Sequence, residues 1–169
     1  DVGGRPVWGK SSGDFVIGWT SYTDTDGSSS AYARRYSFPY SLAVAPGRGA
    51  GNAPTVLIAS PDGLEQAASF PAYGTSGYGA NVGAGDIDGG LAEALTGPGP
   101  SPAFGPHVRA FRPDGISLAK VNFYAYGTLR FGVRPAGGDI DGDGIAEILT
   151  APGEGSVFGP HIRAFNFDG

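Results

Sequence analysis

The sequence predicts an all-β protein that is built from tandem repeats of about fifty residues. Two observations support this fold class. The chain contains 31 glycines and 14 prolines among 169 residues, and they recur at intervals, as turns between short strands do. Similar segments also reappear at a constant shift along the chain, and a period in this range is typical of propeller blades or solenoids.

The recurring segments match over most of their length. Phe70–Thr75 recurs as Phe123–Thr128 with a shift of 53 residues, and Phe104–Phe111 recurs as Phe158–Phe165 with a shift of 54. Asp143 is the additional residue that separates the two shifts. We therefore divide the chain into an N-terminal segment at 1–40, a degenerate repeat or partial blade at 41–63, and two full repeats at 64–115 and 116–169.

Short apolar runs between turn residues predict the strands of the full repeats. The predicted strands are Ala80–Ala84, Ala92–Thr96, His107–Phe111, Leu118–Phe123, Val133–Gly137, Glu147–Ala151 and His161–Phe165. The first four would form one four-stranded blade, and the last three would begin another. Because a propeller needs about four to eight blades, roughly three blades leave the ring incomplete or completed by other chains.

The N-terminal segment has a different pattern. Strands at Asp14–Ser21 and Ala31–Tyr36 flank a polar turn, which predicts a β-hairpin. We interpret Asp24 and Asp26 as part of an exposed turn rather than as a cation site. The hairpin is similar to repeats of large bacterial surface proteins. Its strand Phe15–Ser21 is also a candidate to complete the last blade.

Carboxylates alternate along one loop of the last repeat. Counting from Asp139, loop positions 1, 3, 5 and 9 are Asp139, Asp141, Asp143 and Glu147, and the backbone carbonyl of Ile145 stands at position 7. Alternating carboxylates on a tight glycine-rich loop converge on one point, as an oxygen-ligated Ca²⁺ requires. The loop is not an EF-hand, since position 12 is Thr150 rather than glutamate.

The preceding repeat has a shortened version of this loop. Asp86, Asp88 and Glu93 match positions 1, 3 and 9, whereas position 5 is missing. This loop therefore predicts a weaker cation site or none. The upstream copy has Arg34–Phe38 at about the same place, so no cation site is expected there.

Together these motifs resemble the FG-GAP repeats, which are also called VCBS repeats and occur in integrin α-chains. The resemblance covers about residues 40–169 and includes the pairs Tyr78-Gly79 and Phe131-Gly132, the aspartate loops, and the turns Ala45–Gly47, Gly97–Gly99 and Ala151–Gly153. It implies four-stranded β-propeller blades with Ca²⁺ in the aspartate loops. It also implies a non-catalytic, extracellular or cell-surface module for adhesion, recognition or assembly.

Two alternatives remain open at this point: a carbohydrate-binding propeller, and an accessory or scaffold region of a larger secreted enzyme or filament. Tyr73, Tyr78, Tyr126 and Phe131 are the candidates for stacking on a sugar, although packing between blades is the simpler interpretation. We likewise interpret His107, Arg109, His161 and Arg163 as recurring structural residues that hydrogen-bond to neighbouring loops, not as a catalytic site.

Composition excludes several other classes of protein. The net charge of −5 and the 11 basic residues provide no footprint for nucleic acid. No apolar run is long enough to span a membrane, and no signal peptide is recognised. The chain has no cysteine, begins at Asp1 and contains no methionine, which suggests a processed or excised segment. We expect it to self-associate or to continue in a longer chain.

Overall fold

The computed structural model describes residues 5–7, 15–22, 29–36, 42–59, 66–74, 77–127, 130–155 and 159–167. In these ranges the chain is all-β, as predicted, and contains no α-helix. It divides into two compact units, Asp1–Pro39 and Tyr40–Gly169. The described part of the chain contains no helix with the length and apolar character that a membrane span requires.

The N-terminal unit is a three-stranded antiparallel sheet in the order β1-β2-β3. Its strands are β1 (Arg5–Val7), β2 (Phe15–Tyr22) and β3 (Ser29–Tyr36). The predicted hairpin is confirmed as β2 and β3, whereas β1 was not predicted. The turn that contains Asp24 and Asp26 lies outside the described residues.

The suggestion that Phe15–Ser21 completes the last blade stays a prediction. This segment is β2, which pairs with β1 along one edge and with β3 along the other. On the β1 side the pairing covers Val16–Gly18, whereas β3 pairs along the whole of β2.

The second unit contains three antiparallel sheets. The first sheet is β4 (Leu42–Val44), β5 (Thr55–Ala59) and β6 (Gln66–Pro71). The second sheet is β7 (Ala80–Gly85), β8 (Glu93–Pro98), β9 (His107–Phe111) and β10 (Ser117–Tyr124). The third sheet is β11 (Val133–Gly138), β12 (Glu147–Pro152) and β13 (Arg163–Phe165). Each sheet follows chain order, and the described residues do not close a ring.

The strands predicted for the two full repeats are confirmed, with shifts of a residue or two at their ends. Two strand ends differ by two residues: β8 ends at Pro98 rather than at Thr96, and β13 begins at Arg163 rather than at His161. There the His161 N–H donates a hydrogen bond to the Gly159 carbonyl at 2.9 Å. Because His161 takes part in this local turn, β13 begins two residues later, at Arg163.

Strand pairing has the same register in all three sheets. Thr96 faces Arg109 in the second sheet, and Thr150 faces Arg163 in the third. Val44 faces Leu57 at the corresponding place in the first sheet. The sequence repeat is therefore also a structural repeat, and each position in one sheet has a structural equivalent in the next.

Two hydrophobic cores separate the three sheets. Between the first and second sheets, Val56 and Ile58 pack with Ala94 and Phe111. Between the second and third sheets, Leu95, Val108 and Ala110 pack with Val133 and Ile148. Because side chains alternate along a strand, the second sheet contributes one face to each core. Its strands consequently bury side chains on both faces.

Glycines allow the second and third sheets to approach closely at their first strands. A Cβ atom on Gly83 would lie 2.4 Å from the Pro135 carbonyl oxygen, and one on Gly137 would lie 2.5 Å from that of Ala84. Only residues without a side chain fit such contacts between backbones. The Gly-rich first strands thus serve sheet-to-sheet packing as well as turn formation.

The aromatic–glycine pairs form left-handed turns that tie each first strand to the sheet before it. Tyr78 and Phe131 have φ values of 68° and 73°, which are uncommon for aromatic residues. Their N–H groups donate to the carbonyls of Gly49 (2.7 Å) and Ser101 (3.0 Å) in the preceding sheet's loop. These hydrogen bonds stabilise a backbone conformation that would otherwise be strained.

A buried tyrosine links each sheet to the next, an arrangement that we name the tyrosine clasp. Tyr73, which follows the first sheet, donates its hydroxyl to the His107 carbonyl at 2.8 Å and contacts the Thr96 hydroxyl at 3.1 Å. Tyr126, which follows the second sheet, repeats this with the carbonyls of His161 (2.8 Å) and Thr150 (2.7 Å). Burial raises the pKa of Tyr73 well above its ordinary value, so the hydroxyl stays a donor.

An arginine completes each clasp from the opposite side. Arg109 donates to the Ala72 carbonyl, and Arg163 donates to the Ala125 carbonyl at 2.7 Å. The interpretation of these arginines as ligands of loop carbonyls is therefore confirmed. Because Tyr73 and Tyr126 are buried and hydrogen-bonded, they expose no ring face for a sugar.

Removing one clasp hydroxyl tests its contribution. We expect Tyr126→Phe to lower the free energy of unfolding by about 1–3 kcal/mol, because buried carbonyls lose their donor. Chemical denaturation measures this change. Tyr124→Phe is the matched control, since Tyr124 is exposed and should change stability little. An equal loss of stability in the two variants would contradict a stabilising role for the Tyr126 hydroxyl.

Candidate metal centre

The aspartate loop of the third sheet connects β11 to β12 and is folded by its own carboxylates. Asp139 accepts hydrogen bonds from the N–H groups of Gly142 (2.6 Å) and Gly144 (3.0 Å). Both glycines have positive φ, at 82° and 91°. Asp141 and Asp143 each accept from the N–H two residues further on, at 3.2 and 2.8 Å. The loop therefore turns sharply enough to bring position 1 beside position 9.

Three of the predicted ligands come together in this loop. Asp139, Asp141 and Glu147 each offer a carboxylate oxygen, and these oxygens lie within 4.8 Å of one another. Two oxygens bound to the same Ca²⁺ are separated by at most about 5 Å, which is twice the usual ligand distance. The donor set therefore fits a hard cation in both its chemistry and its spacing.

Asp143 and Ile145 stand slightly apart from this group. Both line the same cavity of about 310 Å³, next to Asp141 and Glu147, but the Asp143 carboxylate is not among the three converging oxygens. Their roles at positions 5 and 7 stay predictions.

Glu147 and its equivalent Glu93 hydrogen-bond to the two loops from the start of the second strand of each sheet. Both side chains are buried at the start of the second strand of their sheet. Glu147 accepts a hydrogen bond from the Ile140 N–H at 2.8 Å, and Glu93 accepts one from the Ile87 N–H at 3.1 Å. Each glutamate thus holds the residue that follows the first aspartate, so one hydrogen bond fixes the separation of positions 1 and 9.

The shorter loop gathers the equivalent three residues despite its missing position. Oxygens of Asp86, Asp88 and Glu93 also lie within 4.8 Å of one another. Asp86 accepts from the Gly90 N–H at 2.7 Å, and this bond closes the shorter turn. The loss of position 5 therefore does not separate the remaining carboxylates.

Charge compensation distinguishes the two loops. The Arg112 guanidinium lies 3.7 Å from the Asp88 carboxylate and lines a cavity of about 360 Å³ with Asp88 and Glu93. The equivalent residue in the third sheet is Asn166, which lines the cavity of the longer loop. Within the described ranges, none of the four carboxylates of the longer loop forms an ion pair. The longer loop is therefore the more strongly anionic of the two.

Sequence reasoning missed both Arg112 and Asn166. A signal was available, because the 54-residue shift aligns these two residues directly after the third strand of each repeat. Their proximity to the loops follows from the pairing of Phe111 with Ala94 and of Phe165 with Ile148, which puts the ends of β9 and β13 beside the starts of β8 and β12. The only indication in the sequence that these positions matter is that Arg112 and Asn166 are aligned, polar and different in charge.

The two loops lie side by side. The Ala146 N–H, in the longer loop, donates to the backbone carbonyl of Asp86 at 2.7 Å. Asp88 also lines the cavity of the longer loop. The carboxylates of each loop therefore add to the negative electrostatic potential at the other loop.

The two histidines are separate, as their repeat positions predict. The His107 ring contacts the Asn122 side chain at 2.6 Å and stacks on Tyr124, with ring centroids 4.8 Å apart. His161 instead meets the edge of Tyr126 at 5.9 Å. His107 has the equivalent contact with Tyr73, at 5.7 Å between ring centroids, so each histidine lies beside the clasp tyrosine that follows the preceding sheet.

Metal-free stability should depend on the protonation of Glu93. Burial raises the pKa of the Glu93 carboxyl above its ordinary value, and Asp88 and Asp86 add to the rise, whereas the Ile87 N–H opposes it. The folded state then binds this proton more tightly than the unfolded state does. Stability from this group is complete below the ordinary glutamate pKa and is lost as pH rises through the higher folded-state pKa.

We therefore expect Glu93→Gln to increase stability relative to the wild type at neutral pH in chelator. This advantage should shrink as pH falls below the ordinary glutamate range. Thermal unfolding of both proteins across pH, in excess chelator, measures the difference. A constant difference at all pH values would contradict the assignment to Glu93.

Comparisons with family models, with curated proteins and with solved structures find no match to this chain. The resemblance to FG-GAP repeats therefore stays a prediction from the motifs. Any functional argument must be based on the loops and on the packing of the sheets.

Proposed function

We propose that this chain is a non-catalytic, Ca²⁺-stabilised β-repeat module of an extracellular or cell-surface protein. In this proposal Ca²⁺ is structural. It binds the loop between β11 and β12 and neutralises carboxylates that otherwise repel one another. The cation would thereby fix the hairpin of the first two strands, on which the rest of the third sheet is assembled.

The observation that carries the proposal is the convergence of Asp139, Asp141 and Glu147 within 4.8 Å, with Glu147 buried. A buried carboxylate is unfavourable unless it is hydrogen-bonded and balanced by opposite charge. Glu147 has its hydrogen bond from Ile140, but the described residues provide no positive partner for the group. A divalent cation would supply the missing positive charge.

The arrangement of the sheets supports a propeller-like arc. Arg48, in the turn of the first sheet, forms an ion pair at 3.2 Å with Glu154, which follows β12 of the third sheet. Arg134 of β11 binds the same glutamate at 2.5 Å. Because the second sheet lies between the other two in the chain, this contact indicates that the turns converge at one end. Convergence of this kind is what radial packing of blades produces.

Adhesion, recognition or assembly is the role that such a module would perform. Fold alone does not identify the ligand. The two cavities lined by loop carboxylates are accounted for by cation binding, so the paired acids need not perform acid–base catalysis.

Calcium-dependent thermal stability tests the proposal. A ligand that binds only the folded state stabilises it by about 2.7 kcal/mol at a hundred times its Kd. We therefore expect a clear rise in Tm when Ca²⁺ replaces chelator. The rise should be largely lost in Asp141→Asn, because the converging group loses a charged oxygen.

Glu154→Gln is the matched control, since it makes the same change of charge among exposed residues away from the loop. It should retain the full effect of Ca²⁺. A wild-type Tm that does not respond to Ca²⁺ would reject the structural cation, and a full response in Asp141→Asn would reject the ligand assignment.

The difference between Arg112 and Asn166 predicts how many cations bind. In the wild type, Arg112 provides the positive charge at the shorter loop, so we expect one Ca²⁺ per chain by isothermal titration calorimetry. Arg112→Asn should raise the affinity of the shorter loop by at least about tenfold, because a repelling charge is removed. Arg130→Asn is the control, since it removes the same charge from an exposed arginine that bonds the Ala103 carbonyl away from both loops, and it should leave the stoichiometry at one. Two strong sites in the wild type would contradict a role for Arg112.

A further inference from the structure

A cavity of about 370 Å³ lies where the end of the first sheet meets the second sheet. The clasp residue Tyr73 forms part of its wall, together with residues of the loop between β8 and β9. The remaining wall comes from strand ends of the second sheet and includes His107, Arg109 and Tyr124. A cavity of this size lies within the range of small-molecule sites and has room for about one sugar ring with its substituents.

The cavity lies at the opposite end of the second sheet from its aspartate loop. Ala80 pairs with Pro98 at one end of β7 and β8, and Gly85 pairs with Glu93 at the other end. Pro98 lines the cavity, whereas the aspartate loop follows Gly85. Cation binding at the loops therefore does not account for this cavity.

Arg109 gives the cavity a positive charge. None of the described residues that line the cavity is acidic, and within the described ranges Arg109 forms no ion pair. Its Nη1 donates to the Ala72 carbonyl, and its guanidinium lies 4.9 Å from the centre of the Phe111 ring, so the group is held in place. A guanidinium has five N–H donors, and those that remain suit a carboxylate, which arginine binds in a bidentate manner.

Stacked rings form a second wall of the cavity. Tyr124 faces His107 across β10 and β9, and the two rings stack with an angle of 16° between their planes. The Asn122 side chain contacts the histidine ring at 2.6 Å and fixes its orientation. Tyr124 is nevertheless 60% exposed. An exposed aromatic ring that is held flat by stacking is a rigid platform for the C–H face of a sugar ring.

The two walls together indicate the class of ligand. A carboxylate without a ring would pair with Arg109 but leave the Tyr124 platform empty. A neutral sugar would cover the platform but leave the guanidinium without a counter-charge. An acidic peptide side chain is acyclic and has no flat face to place on Tyr124. A sugar acid satisfies both walls, because one ring carries the carboxylate.

We propose that this cavity binds an acidic sugar of the uronic acid type, as part of a glycan. The carboxylate pairs with Arg109, and the sugar ring packs on Tyr124. This inference rests on the proposed function only for the role of recognition, to which it adds a ligand class. Because the cavity and the aspartate loop lie at opposite ends of the sheet, the structural Ca²⁺ can be rejected without affecting the sugar site.

Titration of the isotope-labelled chain, followed by protein NMR, tests the proposal. The probes are glucuronate and galacturonate, with glucose and galactose as neutral sugars that differ from them only at C6. Acetate and N-acetylaspartate supply a carboxylate without a ring. We expect at least one uronate to shift the amide signal of Gly105, which lines the cavity. It should bind at least about tenfold more tightly than its neutral counterpart and than either acyclic acid.

Variants of the two walls separate their contributions. Tyr124→Ala should weaken uronate binding by at least about tenfold, whereas Tyr124→Phe retains the ring and should bind as the wild type does. Arg109→Lys keeps the charge but loses the bidentate donors, so it should reduce the preference for the uronate over the neutral sugar. Ile116→Ala is the matched control, because Ile116 is exposed on the turn before β10 and does not line the cavity.

Several results would overturn the proposal. Absence of binding by both uronates rejects the site. Equal affinity for a uronate and its neutral counterpart rejects the pairing with Arg109, and acetate or N-acetylaspartate that binds as tightly as the uronate rejects the sugar. Full uronate affinity in Tyr124→Ala rejects the stacking platform. Since Tyr124 is exposed, this variant leaves the clasp intact, and its NMR spectrum shows that it is folded.

Discussion

The tyrosine clasp is the interaction on which the arrangement of the sheets depends. Each sheet of the second unit is only three or four short strands and cannot bury both faces alone. The clasp joins the end of one sheet to the second and third strands of the next, through a hydroxyl and a guanidinium that reach backbone carbonyls. Backbone carbonyls are present whatever the side chains are. The same joint therefore forms in both repeats, although Phe111 is buried and its equivalent Phe165 is only partly buried.

The two aspartate loops lie where the second and third sheets meet. Close backbone contacts at Gly83 and Gly137 bring the first strands together, and the Ala146 N–H then reaches the Asp86 carbonyl. Two acidic loops are thereby held next to each other, and one of them carries its own positive charge in Arg112. The two loops therefore differ in charge in two ways: only the longer loop has Asp143, and only the shorter loop has an arginine, Arg112, beside it.

The same repetition that builds the interior also defines the surface. Val108 and Ile162 are equivalent aliphatic residues, one in an interior face and one in an uncovered face. Their difference in exposure therefore reflects the presence or absence of a neighbouring sheet and not a change in residue chemistry. The replacement of threonine and arginine by Val44 and Leu57 is a change in chemistry, and it occurs at the one sheet without a preceding clasp in the described residues.

The sequence by itself determined the all-β class, most strands of the second unit and the set of loop carboxylates, because these depend on local periodicity, on turn residues and on spacing within one loop. Only the tertiary structure decided that β2 uses both of its edges within its own sheet, that Tyr73 and Tyr126 are buried clasps, and that Arg112 and Asn166 lie beside the loops. These features join residues that are distant in the chain, and their positions follow from how sheets pack on one another. Local pattern contains no information on such packing.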